Sequence, residues 1–280
     1  MNTITAASLS QYLTSTRRVL EATGTQCPPL DAIAASWSAY QQVDRNLAPL
    51  VAEAVLSDSK DLQTFHVLAL AAANAGTVQD ATVRNAVADV IYTEAFKAYR
   101  EVAAEVYEAA AATFNDAAQK FTKAASLVDP ETDASAVVKM TQKDRAAWMD
   151  AQQHAATLDQ SLTVLTDAAN LAGWAGATPD RVIPLATNPG DAHRRRVYEA
   201  FSKTEGNCRR WSALLALGVE IVAPTDLDDM RAYRAPRPME IKQVHNGYGI
   251  RQVEWDPEDP ENLVEADAPK NRRASRVVVS

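Results

Sequence analysis

The spacing of apolar residues along the chain predicts a mainly helical fold. Between Gly76 and Gly173 the sequence has no glycine, and Pro130 is the one proline in that stretch of 96 residues. Because glycine and proline disfavour helix interiors more than any other residues, the stretch predicts two long helices. The polar break at Asp129–Asp133 is short, so the helices are expected to return antiparallel as a coiled-coil-like hairpin with its turn near Pro130.

The two predicted helices carry apolar stripes at heptad spacing. The first stripe runs from Tyr92 to Val128, within a helix expected over residues 78–128, and has a stutter near Phe114. The second runs from Trp148 to Ala172 in regular steps of three and four residues. These stripes pack the two helices together, and a hairpin of this length exposes more stripe than its own second helix covers. The residues predicted for self-association with a second copy are Tyr92, Phe96, Tyr99, Val106, Phe114, Phe121, Leu158, Leu162 and Leu165.

The patterns divide the chain into four segments. They are an N-terminal helical layer (1–76), the long hairpin (77–173), a segment of short helices (174–225) and an extended C-terminal arm (226–280). In the first segment, Gly24 is expected to end one helix and Pro28-Pro29 to begin the next. In the last segment, Asn246-Gly247 lies between β-prone runs and indicates a small β-hairpin.

The third segment has a mixed character. Residues 173–190 contain several glycines and prolines, and they are expected to form a connector that packs on the surface. Residues 191–203 and 207–217 are predicted to form two short helices separated at Gly206.

The charge is distributed unevenly between the two halves of the chain. The net charge is −8, and residues 1–176 hold 12 Lys/Arg and 20 Asp/Glu while residues 177–280 hold 16 of each. An acidic helical half disfavours nonspecific binding of nucleic acid over that surface. In the arm, Glu254–Asp267 holds seven acids and no base, and a basic tail follows at Lys270–Arg276. These two blocks suit either contacts between subunits or an extended, solvated tail.

The strongest local signal for binding is a cluster of basic residues, called here the arginine cluster. It lies within 17 residues that include two acids and the aromatic residues Tyr198 and Phe201, and Trp211 follows directly. Its members are Arg194, Arg195, Arg196, Lys203, Arg209 and Arg210. Arginine binds phosphate through its forked donors, and aromatic rings stack on bases, so the cluster could bind nucleic acid. The alternative is that these cations pair with acids of the same chain or of a neighbouring subunit.

Other candidate chemistry is weak. The four histidines lack partners at the spacing of metal ligands, and the sequence has no nucleophile elbow or phosphate-binding loop. Arg209 and Arg210 next to Cys208 could lower the pKa of its thiol, but a free cysteine is usually an inert small residue. No cofactor, metal or catalytic residue is therefore expected.

The sequence also bears on location. The most apolar runs, Val67–Ala73 and Ser212–Leu217, are too short to span a bilayer, and the N-terminus lacks the pattern of a secretory signal. Two distant cysteines do not suggest a disulfide framework. We therefore expect no membrane association, and a place in the cytoplasm or in a particle assembled inside the cell.

Taken together, these features favour a non-enzymatic structural or assembly protein that forms homo-oligomers through helical faces and the C-terminal arm. A viral or phage particle component would fit this design. The first alternative is a nucleic-acid-binding protein, either a nucleoprotein or a regulator, that uses the arginine cluster. The second is an enzyme whose site carries no recognisable motif.

Overall fold

The computed structural model describes residues 4–42, 48–57, 60–74, 77–174, 176–229, 233–245 and 250–258. Within these ranges the chain forms eleven α-helices and four short β-strands, which confirms the predicted mainly helical fold with a small C-terminal β-hairpin. The chain divides into two compact units, residues 1–106 and 107–280, whose boundary lies inside a helix.

The described residues of the first unit form five helices and the start of a sixth. The five are α1 (Ala6–Thr23), α2 (Pro28–Gln41), α3 (Ala48–Leu56), α4 (Leu62–Asn74) and α5 (Thr77–Arg100). Gly24 ends α1 with a left-handed φ of 72°, and Pro28 begins α2, both as predicted. Both α1 and α2 pack against α5, and α3 packs against α4.

The first long helix is interrupted, although the sequence predicts it to be continuous. Helix α5 ends at Arg100, and α6 runs from Ala103 to Ala125. At the break the Val102 amide donates to the Tyr99 carbonyl at 3.0 Å, which is a tighter turn than the α-helix allows. Neither glycine nor proline lies at this position, so the sequence gives no signal for the break.

The predicted helical hairpin is formed by α6 and α8 (Gln142–Leu171), with the short helix α7 (Ala134–Val137) in the connection. Its turn includes Pro130, as predicted. The Trp148 indole fastens the start of α8 to this turn by donating to the Thr132 carbonyl at 3.2 Å. Thr141 caps α8 by accepting from the Asp144 amide.

The segment after the hairpin is more ordered than the predicted surface connector. It contains α9 (Pro179–Ala186), β1 (Thr187–Asn188), α10 (Arg194–Phe201), α11 (Arg209–Ala216) and β2 (Glu220–Ile221), and a 3-10 turn follows at Leu227–Asp229. Helix α9 is buried from Val182 to Ala186 despite having Pro184 in its interior, so this part of the chain belongs to the core of the second unit. Helices α10 and α11 confirm the predicted pair on either side of Gly206.

Two side chains of α6 hold the segment that follows β2. The Asn115 amide accepts from the Ala223 N–H at 2.7 Å and donates to the carbonyl of the same residue at 3.0 Å. The Tyr107 hydroxyl donates to the Pro224 carbonyl at 3.1 Å. The ring of the fully buried Trp211 lies 5.9 Å from that of Phe114, so α11 packs on the same helix.

The C-terminal β-hairpin is formed by β3 (Glu240–His245) and β4 (Ile250–Trp255), which pair antiparallel with Glu240 opposite Trp255. Its predicted Asn246-Gly247 turn lies outside the described residues. So do the end of the acidic run after residue 258 and the basic tail.

Candidate functional site

The first two arginines of the cluster are paired with acids of the same chain. Arg194 donates to Glu258 through both ends of its fork, with 3.1 Å from Nε to Oε2 and 2.5 Å from Nη2 to Oε1. Arg195 is largely buried and donates through Nε to Asp256, while its Nη2 donates to the Arg237 carbonyl. Charge-assisted and two-pronged hydrogen bonds of this kind are stronger than hydrogen bonds between neutral groups. The start of the acidic run is therefore docked on α10, and we call residues 256–258 the acidic anchor.

Further hydrogen bonds hold the acidic anchor in place. The Arg237 amide donates to Glu258 Oε1 at 3.0 Å, and the Glu258 amide donates to Asp256 Oδ1 at 3.0 Å. A ring nitrogen of His193 lies 2.6 Å from the Glu258 carbonyl oxygen. The anchor is thus bound through both its side chains and its backbone.

The electrostatics of the anchor follow from these contacts. Burial on its own would raise the pKa of Asp256, but the hydrogen bond from Arg195 and the nearby positive charges lower it below its ordinary value. The hydrogen bond from Arg194 is the main reason that the pKa of Glu258 is also lowered. Both carboxylates therefore stay ionised and paired at neutral pH.

Arg210 also contacts residues of its own chain. Its guanidinium lies 5.0 Å from the centre of the Phe201 ring, and its Nε is 3.7 Å from Asp159 Oδ1. The Trp211 indole donates to the same Asp159 oxygen at 3.1 Å. Arg210 therefore helps to join α10, α11 and α8.

The other three members of the cluster, Arg196, Lys203 and Arg209, are exposed. Arg209 has a left-handed backbone with φ of 52°, which is uncommon for a residue other than glycine. Nucleic-acid binding by the cluster stays a prediction, and in the folded chain it would depend mainly on these three cations.

A carboxylate that the sequence analysis did not single out organises the start of α11. Glu131, in the hairpin turn, accepts from the Asn207 amide at 3.0 Å, the Cys208 amide at 2.9 Å and the Ser212 hydroxyl at 2.6 Å. Asn207 also donates to the carbonyls of Pro130 and Thr132. An acid at a helix N-terminus satisfies unpaired amides and complements the helix dipole.

The same contacts change two pKa values. Burial acts to raise the pKa of Glu131, but the three hydrogen bonds and the charge of Lys203 outweigh it and lower the pKa. Burial, together with the charges of Glu131 and Asp129, raises the pKa of Cys208 to about 12. The idea that the adjacent arginines lower the pKa of this thiol is therefore wrong, and Cys208 is a buried structural residue.

The residues predicted for self-association lie mostly inside the chain. Tyr92 and Phe96 are half-buried. The other seven are buried, and they are Tyr99, Val106, Phe114, Phe121, Leu158, Leu162 and Leu165. Self-association through this stripe stays a prediction, and in the folded chain it could use only the partly accessible positions.

Two further findings concern the described part of the chain. It contains no group of three or more His, Cys, Asp or Glu residues placed to hold a metal ion. None of its helices is both long enough and apolar enough to cross a membrane. No family model, curated protein or solved structure matches this chain.

Proposed function

We propose that this chain is a non-enzymatic assembly protein that self-associates, and that the β3–β4 hairpin is the arm through which one copy binds the next. The observation that carries the proposal is the exposure of Ile241 and Ile250, whose residue surfaces are 70% and 58% accessible. In a cytoplasmic protein, or in a particle assembled inside the cell, such side chains are favourably buried against a partner.

The two faces of the hairpin differ. Because residues directly opposite in an antiparallel pair share a face, the register places Ile241 and Ile250 on one face. On the other face, the Lys242 ammonium lies 4.0 Å from the centre of the Trp255 ring. One face is thus partly covered by the hairpin itself, and the face with the isoleucines is left for a partner.

The edges of the hairpin support the same proposal. Within the described residues, β3 and β4 pair with each other and with no other strand. An isolated two-stranded hairpin is only marginally stable in water, and pairing with a further strand or packing against another surface stabilises it. The acidic anchor fixes the end of β4 to α10, so the arm is attached at its base by the Arg194 and Arg195 ion pairs.

A second copy is the partner that the charges favour. Residues 240–255 contain two acids, Glu240 and Glu254, and two bases, Lys242 and Arg251. The net charge of −8 comes from residues 1–176, so the acidic surfaces of that half repel each other in two copies. These four charges cancel over the hairpin as a whole, and the register places one of them, Glu254, on the isoleucine face. Two copies that meet there bring together one acid each, so the repulsion is small compared with that between the acidic helical surfaces.

The test is the native mass of the full chain at tens of micromolar, measured by sedimentation equilibrium and by light scattering. We expect a multiple of the 30.3 kDa chain mass. The variant Ile241→Thr/Ile250→Thr keeps β-branched residues and removes apolar surface, so it should lower the native mass while the circular dichroism spectrum stays unchanged.

The matched control is Val138→Thr, because Val138 is an exposed valine outside the hairpin. This control should keep the native mass of the parent chain. A parent chain that sediments at 30.3 kDa, or a hairpin variant with the parent mass, would contradict the proposal.

A further inference from the structure

We infer that the α3–α4 helix pair is a second self-association surface, on which the α3–α4 pair of another copy packs. This inference rests on the proposed assembly function, but it concerns a different part of the chain. The predicted self-association stripe of the helical hairpin is mostly buried. The α3–α4 pair is a different helical surface through which copies could associate.

The composition of the two helices is the first observation. Helix α4, Leu62–Asn74, contains no Asp, Glu, Lys or Arg, and α3, Ala48–Leu56, contains Glu53 as its one charged residue. The uncharged polar residues Gln63, Thr64 and His66 are exposed at the start of α4, and the rest of both helices is mainly apolar. Helices with so few charged residues are normally buried in a larger core. These two helices pack on each other, yet large apolar side chains remain in contact with solvent.

The exposed side chains come from both helices. Leu56 is 88% exposed, and Val55, Val67 and Leu68 are each at least half exposed. In contrast, Leu62, Phe65 and Ala69 recur at helical spacing along α4 and are half-buried. The pair thus has apolar residues that are half-buried and further apolar residues that the described part of the unit leaves exposed to solvent.

The pair lacks the size to bury its own apolar surface. With 9 and 13 residues, the helices are about 14 and 20 Å long at the usual rise per residue. Two such pairs packed together would form a four-helix bundle, which encloses a core that a single pair cannot.

The distribution of charge favours a second copy as the occupant. A two-fold interface brings a surface against itself, so it must be compatible with its own charge. An acidic chain meets this condition where charges are nearly absent, as on α3 and α4. An anionic lipid surface would instead require lysines or arginines beside the apolar residues, and the two helices have none; Lys60, between them, is followed by Asp61.

The test compares native masses of full-length variants. Val67→Glu/Leu68→Glu adds two charges to the proposed surface, and Val67→Gln/Leu68→Gln removes apolar surface without adding charge. We expect both variants to have a lower mass than the parent, and to a similar degree. Adding Ile241→Thr/Ile250→Thr to either variant should give the 30.3 kDa monomer.

The matched control is Val138→Glu/Leu127→Glu, which makes the same valine and leucine changes at two exposed positions in the second unit. It should keep the parent mass. If the α3–α4 variants keep the parent mass while the arm variant loses it, this inference is wrong and the proposed function stands. A monomeric parent chain would overturn both.

A lipid surface is tested on the same samples. The parent chain is mixed with vesicles containing anionic lipid and centrifuged, and we expect it to stay in the supernatant. Pelleting that Val67→Glu/Leu68→Glu abolishes would assign the surface to lipid and overturn the proposed pairing of copies.

Discussion

Replacing Glu131 by glutamine should destabilise the second unit, because this carboxylate joins the hairpin turn to the start of α11. It accepts hydrogen bonds from two backbone amides, those of Asn207 and Cys208, and from the Ser212 hydroxyl. Glutamine has nearly the same shape, but an NH2 group, which cannot accept a hydrogen bond, replaces one of the two carboxylate oxygens. One of the two backbone N–H groups would therefore face another donor.

The size of the effect can be worked from these contacts. Hydrogen bonds to a charged group contribute about 1.5–3 kcal/mol each, and loss of a helix cap costs about 0.5–2 kcal/mol. Glu131 is half-exposed, so water replaces part of what is lost. We expect the free energy of unfolding to fall by about 1–2 kcal/mol in Glu131→Gln and by about 2–3 kcal/mol in Glu131→Ala.

The pH dependence gives a second measure of the same interaction. The pKa of Glu131 is lowered in the folded chain, so the ionised form stabilises the fold. This contribution is fully present above the pKa of the unfolded chain and is lost as the pH falls through the folded pKa. The difference between the parent and Glu131→Gln should therefore shrink in acid.

The assay is urea denaturation followed by tryptophan fluorescence, since Trp211 lies on α11 itself. Glu108→Gln is the matched control, because it removes the same charge from an exposed position of the same unit. The reasoning would be refuted if the free energies of unfolding of Glu131→Gln and Glu108→Gln differed by less than about 0.5 kcal/mol at neutral pH. It would also be refuted if the difference between them grew in acid.

Three further predictions follow. Gly206→Ala should cost about 1–2 kcal/mol more than Gly173→Ala, as measured by urea denaturation. Both glycines have a left-handed φ, 99° at 206 and 106° at 173, but a Cβ at 206 would lie 2.3 Å from Glu131 Oε2, while none of the described atoms is within 4 Å of a Cβ at 173. The Glu131 side chain would have to move and would lose part of its hydrogen bonding to Asn207, Cys208 and Ser212. Asp256→Asn/Glu258→Gln should release the β-hairpin, seen as faster amide hydrogen exchange in β3 and β4 with that of α8 unchanged. If the arginine cluster binds nucleic acid, binding should weaken with salt and be lost on changing the three exposed cations to alanine; binding unaffected by either would exclude this role. These three are Arg196, Lys203 and Arg209.

The features that the sequence predicts correctly have local causes. Gly24 ends α1 because glycine adopts a left-handed φ without strain, and Pro28 begins α2 because the first turn of a helix needs no amide from it. The turn at Pro130 and the β-hairpin on either side of Asn246-Gly247 are likewise set by a few neighbouring residues. In each case the physical reason lies within one turn of the chain.

The features that the sequence does not predict depend on distant partners. Arg195 pairs with Asp256, 61 positions away, and Glu131 binds the amide of Asn207, 76 positions away. The sequence contains 36 acids, and nothing in the spacing of charges selects these two. The glycines and prolines of residues 173–190 predict a surface connector. Helix α9 forms there instead, because burial of Ile183 and Leu185 outweighs the cost of Pro184 in a helix interior.

The second half of the chain has no net charge, and the docking of the acidic anchor shows where part of its charge is neutralised. Arg194 and Arg195 of α10, which look like part of a phosphate site in the sequence, neutralise acids of their own chain, and those acids directly follow β4. A site for an external anion would instead keep Arg194 and Arg195 open to solvent. The two-pronged pair of Arg194 with Glu258 and the largely buried pair of Arg195 with Asp256 fix the base of the hairpin, so α10 supports the arm. The surfaces that we propose for partners are therefore the isoleucine face of that arm and the apolar face of α3–α4.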